Sequence, residues 1–313
     1  MRTIRAILWS MRDLRTASAA VAQRARIVAI ERSQVAAYAA QLPLCSSAPV
    51  DPDAHLLSGS RETLCAFWLT LDAINFGSGW FPTLAKREGR SGYFTIAAGL
   101  RERFAQRGPF TSAELSRIDA ASIAAMTGQD PAHELMGLFA ISLRDLGRHV
   151  AREHGGRFAA VADSADGSAV ALALRLGGWA SYADSSTYQE LTVPFLKRAQ
   201  IAAADLARAG VVTFDDIQQL TLFADNLVPH VLRLDGILTF APELVERIDA
   251  GELIEHGSQE EVEIRACALH AVELIVAARA GTCPAEVDQL LWHRGQQPAY
   301  KASPRHRSRC TAY

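Results

Sequence analysis

The chain has no surplus of positive charge. Its 313 residues carry 32 Lys and Arg against 34 Asp and Glu, a formal net charge of −2. A dedicated duplex-DNA binder shows a basic excess, so an extended nucleic-acid partner is disfavoured, whereas a small anion needs only a local cluster. Cysteine is scarce and odd in number: Cys45, Cys65, Cys267, Cys283 and Cys310, with no Cys-x-x-Cys pair. That pattern signals neither a disulfide framework nor a zinc ribbon, and a reducing, cytoplasmic compartment is expected. No run of about eighteen apolar residues is present, so no membrane span is expected. The start, Met1-Arg2-Thr3-Ile4-Arg5-Ala6-Ile7-Leu8-Trp9, is too charged for a signal peptide. Metal-ligand spacing is missing too. His133-Glu134 would need a second His at position 137, which is Gly137. Gly77-Ser78-Gly79-Trp80-Phe81-Pro82 follows a helical pattern and ends in Pro, so it fails as a dinucleotide loop and reads as a tight turn. No P-loop and no Ser-His-Asp arrangement remains, and neither cofactor nor metal is called for.

What is present is a globular composition, 49% hydrophobic and 21% charged. The length sits at the upper edge for one domain, and a single, mainly α domain over residues 1–313 with minor β pieces is expected. The periodicity predicts one or two helices within 10–41, and others over 61–76, 91–107, 132–153, 169–176 and 195–208. Thr111-Ser112-Ala113-Glu114 and Ser258-Gln259-Glu260-Glu261 are capping boxes. Pro242 and Cys283-Pro284 mark two more helix starts. Residues 42–60, 158–164 and 179–192 read as loop or connector, and the basic tail from 301 reads as irregular.

The stretch around Thr221-Leu222-Phe223-Ala224-Asp225-Asn226-Leu227-Val228-Pro229-His230 organises the rest. A helix led in by Thr213 or Asp215 should end near Asp225, and Pro229 fits the first turn of a new one. A carboxylate at such a joint either caps the new helix or points into a cleft. Two further acids stand beside large rings. Asp72 and Asn75 lie on a helix apolar on most sides, near Phe76 and Trp80, and need partners or a ligand. Asp288 and Trp292, four apart, share a helix face. Lys197 and Arg198 sit in a helix first turn, where two cations make a seat for phosphate. Acids beside aromatic platforms suit a cationic or heteroaromatic ligand and an oxocarbenium-like transition state.

Several ordered blocks together resemble the queuosine salvage family of queuosine 5′-phosphate N-glycosylases. They are Leu71-Asp72-Ala73-Ile74-Asn75-Phe76, Ser91-Gly92-Tyr93, Phe195-Leu196-Lys197-Arg198-Ala199-Gln200-Ile201 and Phe223-Ala224-Asp225 with Val228-Pro229-His230-Val231-Leu232. The likeness continues in Glu261-Val262-Glu263-Ile264-Arg265-Ala266, Val272-Glu273-Leu274-Ile275, Asp288-Gln289-Leu290-Leu291-Trp292 and the tail His306-Arg307-Ser308-Arg309 to Tyr313. The resemblance implies a helical fold similar to helix-hairpin-helix DNA glycosylases. It also implies hydrolysis of the N-glycosidic bond of queuosine 5′-phosphate, releasing queuine, with a small nucleotide as the partner and no direct nucleic-acid contact. By the same resemblance Phe223 and Asp225 match the base-recognition and catalytic block, Asp288 the second active-site carboxylate, and His55 a ligand-contacting His. One acid, Asp225 in our assignment, would support the ribosyl cation or the water, and Asp288 would hold or protonate the base; the two roles are open to exchange. Lys197 and Arg198 would meet the phosphate, and Phe76 or Trp80 would stack on the base. The chain departs from the family pattern at Gly77-Ser78-Gly79-Trp80, where an aromatic-rich segment is common, and at His293, where Asp commonly follows the Trp. The alternatives are a nucleic-acid base glycosylase and a non-catalytic binder of a 7-deazaguanine nucleotide.

Overall fold

The structure is a computed structural model, described here for residues 9–43 and 50–313. The expectations for the first eight residues and for Cys45 lie outside these. Helices dominate. In chain order the first half runs α1 (Met11–Arg24), β1 (Val28–Ile30), α2 (Arg32–Gln41), α3 (Arg61–Ala73), α4 (Gly92–Arg107), α5 (Ser112–Leu115), α6 (Ala120–Thr127), α7 (Glu134–His154), α8 (Phe158–Asp163) and α9 (Ala169–Gly177). A hairpin of β2 (Ser185–Tyr188) and β3 (Leu191–Pro194) leads into α10 (Lys197–Arg208). Then come α11 (Leu227–Leu234), β4 (Leu238–Phe240), α12 (Pro242–Asp249), α13 (Gln259–Ala277), α14 (Pro284–Gly295) and α15 (Pro298–Lys301).

Two hydrophobic cores form. The first gathers Phe67, Trp68, Phe139, Leu143, Phe158 and Leu172 from α3, α7, α8 and α9. The second gathers Val28, Val231, Ile264, Leu269 and Leu291 from β1, α11, α13 and α14. Their seam is the organising stretch. Leu220 and Phe223 belong to the first core while Leu222 and Ala224 belong to the second. From Leu222 to Ala224 the alternation follows from an extended backbone, whose successive side chains point to opposite faces; Leu220 lies before that alternation begins. Phe195 and Leu196 divide between the two cores in the same way. The chain therefore crosses the seam twice, and Asp225 and Lys197 stand just past the crossings.

Local chemistry sets most helix ends. Ser60, Ser91 and Ser168 accept N3 backbone N–H groups at the starts of α3, α4 and α9. The capping box at Thr111 is complete. The one expected at Ser258 is half-formed, because Ser258 caps Glu261 N–H while the Glu261 carboxylate turns to Gly257 N–H and Arg265.

Four expectations need correction, each because a distant partner overrides local pattern. Residues 28–30 are not helical but a strand, paired antiparallel with β4 as Val28↔Phe240 and Ile30↔Leu238. Residues 179–192 contain the β2–β3 hairpin, turned at Gln189 with φ 52°. Residues 158–164 hold α8, whose first N–H groups are received by the Glu62 carboxylate of α3 at 2.6 and 2.8 Å. No helix leads into Asp225; residues 211–226 are irregular but for a 3-10 turn at Ile217–Gln219, and Asp216 caps α9 instead, accepting Ala169 N–H at 2.6 Å.

The tail is the other surprise. His306, Ser308, Cys310, Ala312 and Tyr313 are all buried. It docks on the glycine turn: Gly77, with φ 105°, donates its N–H to Tyr313 O at 3.0 Å. At Gly79 an added Cβ would stand 2.6 Å from the Ser308 carbonyl carbon and 2.9 Å from the Arg309 nitrogen. Gly79→Ala should therefore push the tail off its seat and destabilise the fold by about 1–3 kcal/mol, the usual penalty of overpacking. Thermal unfolding and limited proteolysis of the tail check this; an unchanged midpoint with an uncut tail would contradict the docking.

Candidate active site

A cavity of about 800 Å³ opens at the seam between the cores. Helix α10 forms one wall. Lys197, Ile201, Ala204, Asp205 and Arg208 line it, a spacing of four, seven, eight and eleven residues that keeps them on one helical face. The opposite side is built by Asp225 before α11, Asp288 and Trp292 on α14, and Arg305 and Arg307 of the tail.

The approach to α10 is unusual. Leu196 takes a left-handed conformation, φ 52°, which a side chain disfavours. Asp184 holds it there. The Asp184 backbone carbonyl accepts the N–H groups of Phe195 and Leu196 at 3.0 and 3.2 Å, and its carboxylate accepts Lys197 N–H at 2.9 Å. The positive end of the α10 dipole is thus already faced by a carboxylate. The Lys197 N–H in the turn where a phosphate seat is expected is thus taken by Asp184.

Lys197 and Arg198 part company for the same reason. The Lys197 ammonium reaches the cavity and donates to Asn75 O at 3.0 Å and Asn75 Oδ1 at 3.2 Å. Burial lowers its pKa, against the charges of Asp225, Asp72 and Asp288. Arg198 points the other way and does not line the cavity. It donates to Ala73 O at 2.6 Å, to Ser181 O and to Ala312 O at 3.3 Å, and its guanidinium lies 4.9 Å from the Phe76 ring. Arg198 ties three backbone segments together.

Of the other expected residues, His55, Asn75, Phe76, Phe223, Asp225, Asp288, Trp292 and His293 line the cavity. Asp72 and Trp80 do not. Asp72 is fully buried behind Asn75, from whose Nδ2 it accepts at 3.4 Å. Burial and the nearby Asp205 charge push its carboxyl well above the usual range. Trp80 donates its Nε1–H to Glu134 at 2.8 Å, away from the cavity. Phe76 packs edge-on against Phe139, centroids 5.0 Å apart.

The two central acids differ in surroundings. Asp225 Oδ1 accepts the N–H groups of Leu227 and Val228 at 2.7 and 3.2 Å, so it does cap α11, and it faces the cavity as well. Lys197 and Arg305 both feel its charge. Asp288 Oδ1 accepts Phe223 N–H at 3.1 Å. Burial and the Asp225 charge push the Asp288 carboxyl well above the usual carboxylate range, outweighing the Phe223 N–H and Lys197. One acid thus sits among donors and cations, while burial and a neighbouring charge bias the other toward its protonated form.

His55 stacks on Trp68, centroids 5.1 Å apart and 14° from parallel. Its Nδ1 lies 3.0 Å from Asp51 O and its Nε2 lies 2.9 Å from Tyr93 Oη. A carbonyl can only accept, so Nδ1 carries the proton and Nε2 accepts from Tyr93. Burial lowers the His55 pKa, favouring that neutral form.

Sequence reasoning missed Tyr93, Asp205, Arg208 and Arg305. The α10 periodicity would have found Asp205 and Arg208 once Lys197 was assigned to the cavity. Arg305 had no local signal, since it belongs to the tail. Among the described residues no group of three or more His, Cys, Asp or Glu could hold a metal ion. None of the described helices is long and apolar enough to cross a membrane.

Comparison with known proteins agrees with the geometry. A family model described as "Queuosine salvage protein" matches residues 55–313. A protein of Sphaerobacter thermophilus is 36% identical over 315 residues, 95% of this chain and 97% of that one. A mouse protein is 29% identical over 283 residues, 82% and 83% of the two chains. A Dictyostelium discoideum protein is 41% identical over 135 residues, 41% and 42% of the two. Each is named queuosine 5′-phosphate N-glycosylase/hydrolase.

The raised Asp288 pKa has a consequence for the empty protein. A carboxyl whose folded pKa exceeds its unfolded one costs stability as pH rises from about 4, because the folded state must then give up a proton it holds tightly. Asp288→Asn keeps an acceptor for Phe223 N–H and removes that cost. The variant should be more stable than wild type by about 1 kcal/mol or more at pH 7–8, a gain of the kind seen when a functional group is sacrificed. The difference should close below pH 4. Denaturation at several pH values checks it; equal stabilities at pH 8 would contradict the buried, protonated acid.

Proposed function

The chain belongs to the queuosine salvage protein family, and on that premise we propose that it hydrolyses the N-glycosidic bond of queuosine 5′-phosphate, yielding queuine and ribose 5-phosphate. The observation that carries this reading is the pair Asp225 and Asp288, which share one cavity in unlike surroundings. Bond cleavage needs both halves of that pair. As C1′–N9 breaks, C1′ gains positive charge and the base gains negative charge. The Asp225 carboxylate faces the sugar, stabilises the cation and takes a proton from the water that attacks C1′. Asp288, still protonated, gives its proton to the departing base. A 7-deazapurine lacks the N7 that ordinary purines use for this, so an acid held ready in the protein matters more here. With Asp288 kept protonated by burial, the acid role goes to it and the sugar-facing role to Asp225. Phe223, and Trp292 beyond Asp288, supply the flat apolar surfaces for the base, while His293 edges the same space.

The 5′-phosphate goes to the tail side. Lys197 is engaged by Asn75 and lies among acids, and Arg198 is committed to carbonyls. Arg305 lines the cavity within reach of the Asp225 charge, and its buried Nε has no hydrogen-bond partner among the described residues. A guanidinium in that state suits phosphate. The likeness to helix-hairpin-helix DNA glycosylases and a single domain belong to this reading, supported by a mainly helical fold with its cavity between two helical cores. A cytoplasmic setting goes with it, supported by the free thiols of Cys65, Cys267, Cys283 and Cys310.

The test is base release. Purified protein, without added metal, should liberate queuine from queuosine 5′-phosphate. Asp225→Asn and Asp288→Asn should each lose on the order of 10²–10⁴-fold in kcat, the scale of a lost acid or base. Binding without release by wild type would sink the hydrolase reading in favour of a binding protein. For the phosphate, Arg305→Met should raise KM for the nucleotide by about 10–100-fold, the worth of a charge-assisted hydrogen bond, and leave KM for the nucleoside nearly as it was. Equal changes in both would remove Arg305 from the phosphate.

A further inference from the structure

Asp205 is an acid that the proposed cleavage does not use. It lines the cavity from α10, eight residues beyond Lys197. At 1.5 Å per residue this is about 12 Å further along the same wall, too far for one carboxylate to serve both the sugar and this end. No described residue donates a hydrogen bond to the Asp205 carboxylate or pairs with it at salt-bridge distance, and Arg208 and Lys197 act on it only through space. Asp72 and Asp288 also feel its charge. Burial pushes its carboxyl up to about 6, a strain that a bound cation would relieve.

The walls at this end are aromatic. Tyr93, Phe94 and Trp292 all line the cavity and contact one another, with centroids 5.2 Å apart for Tyr93–Phe94, 6.0 Å for Phe94–Trp292 and 6.2 Å for Tyr93–Trp292. The Tyr93 phenol feels the Asp205 charge and donates to His55 Nε2, so its oxygen keeps lone pairs for a ligand. A carboxylate without a hydrogen-bonded partner, lining one cavity with three rings and acting on the Tyr93 phenol, is a receptor for an organic ammonium rather than for an anion or a neutral arm. The cavity also carries cations: Arg305 and Arg307 from the tail, Arg208 one turn beyond Asp205 on α10, and Arg90, whose guanidinium lies 5.9 Å from the Phe94 ring.

We infer that Asp205 is the specificity-determining residue that seats the secondary ammonium on the side arm of the base, with Tyr93 and Trp292 as the ring walls around it. This rests on the queuosine 5′-phosphate reading and deepens it. With the phosphate at Arg305, the glycosidic bond at Asp225 and the base at Asp288, the arm runs toward Asp205. The enzyme would then tell its substrate from ordinary purine nucleotides, and from plain 7-deazapurine nucleotides, by a charge they lack.

The experiment compares two nucleotides by calorimetric titration: queuosine 5′-phosphate, and 7-deazaguanosine 5′-monophosphate, which lacks the ammonium arm. Wild type should bind the first at least about 30-fold more tightly. Asp205→Asn, an isostere that keeps shape and drops charge, should reduce that ratio tenfold or more, and Asp205→Glu should restore part of it. Circular dichroism and the unfolding midpoint confirm that each variant is folded. Should Asp205→Asn prove unfolded, the wild-type ratio in 1 M salt and a Trp292→Leu variant read the same site, and an unchanged ratio in both overturns the proposal. A wild type that binds the two nucleotides alike overturns it, as does an Asp205→Asn protein that keeps the full ratio. Because the readout is binding, failure of base release by wild type would sink the hydrolase reading alone, while loss of the ratio still reports on Asp205.

Discussion

Arg265 is the residue on which the site depends. Its side chain is wholly buried and holds five residues at once. Nη2 pairs with Asp184 at 2.7 Å, Nη1 reaches Glu261 at 3.5 Å, Nε donates to Ala224 O at 2.9 Å, and the guanidinium lies between the rings of Phe195 and Tyr313 at 3.9 and 4.5 Å. Burial works against its charge, but Asp184 and Glu261 outweigh that and raise its pKa further. Burial alone would raise the Glu261 carboxyl; Arg265 and His256 bring it down to about 2. Each contact leads to the cavity. Asp184 fixes the left-handed turn that aims Lys197. Ala224 is the residue before Asp225. Tyr313 anchors the tail that carries Arg305. A buried ion pair is weak evidence of net stability, but removing one partner is costly. Its service here is positional: one cation sets the spacing between the Lys197 ammonium, the Asp225 carboxylate and Arg305 of the tail.

That frame explains how two acids in one small space come to differ. The charge of Asp225 works through the low-dielectric interior on Asp288, which has one backbone donor and little solvent. The charge of one acid disfavours ionisation of the other, and Asp288, with the fewer donors, is the one pushed toward its protonated form. The division of labour thus comes from the backbone. Two N–H groups at the start of α11 point at Asp225, and one N–H from the seam points at Asp288. For Asp225 the two readings open in the sequence, a cap and a cleft, hold together, because capping supplies the donors that surround the carboxylate.

Sequence reading recovered what is local. The helices with Ser or Thr caps and the shared face of Asp288 and Trp292 needed only neighbours along the chain. It failed where the partner is far away. Residues 27–30 look like the continuation of a helix until the partner of Val28 is seen to be Phe240, more than 200 residues on. Arg198 looks like a second phosphate ligand because it follows Lys197. Yet adjacent residues on a helix point about 100° apart, and Arg198 turns to the distant carbonyls of Ala73, Ser181 and Ala312. Asp184 has no motif at all; its role exists only once Arg265 of α13 reaches it. The tail reads as irregular because its regularity lies in what it packs against, the glycine turn at 77–79.

The two departures from the family pattern therefore weigh unequally. Gly77, Gly79 and Trp80 belong to the docking surface of the tail. Gly79 leaves room for the Ser308 backbone, and Trp80 lies under Arg309, 5.8 Å from ring to guanidinium, with its N–H on Glu134. A change there acts on the site only through the tail, and so through Arg305. His293 is different. It lines the cavity beside Trp292, centroids 5.2 Å apart, and its Nε2 has no hydrogen-bond partner among the described residues. Burial lowers its pKa and Arg208 lowers it further, so the ring is neutral. Where relatives commonly place a carboxylate, this chain has a neutral donor–acceptor at the aromatic end of the cavity. On the ammonium-seat proposal, Asp205 then acts without the help of an acid at position 293.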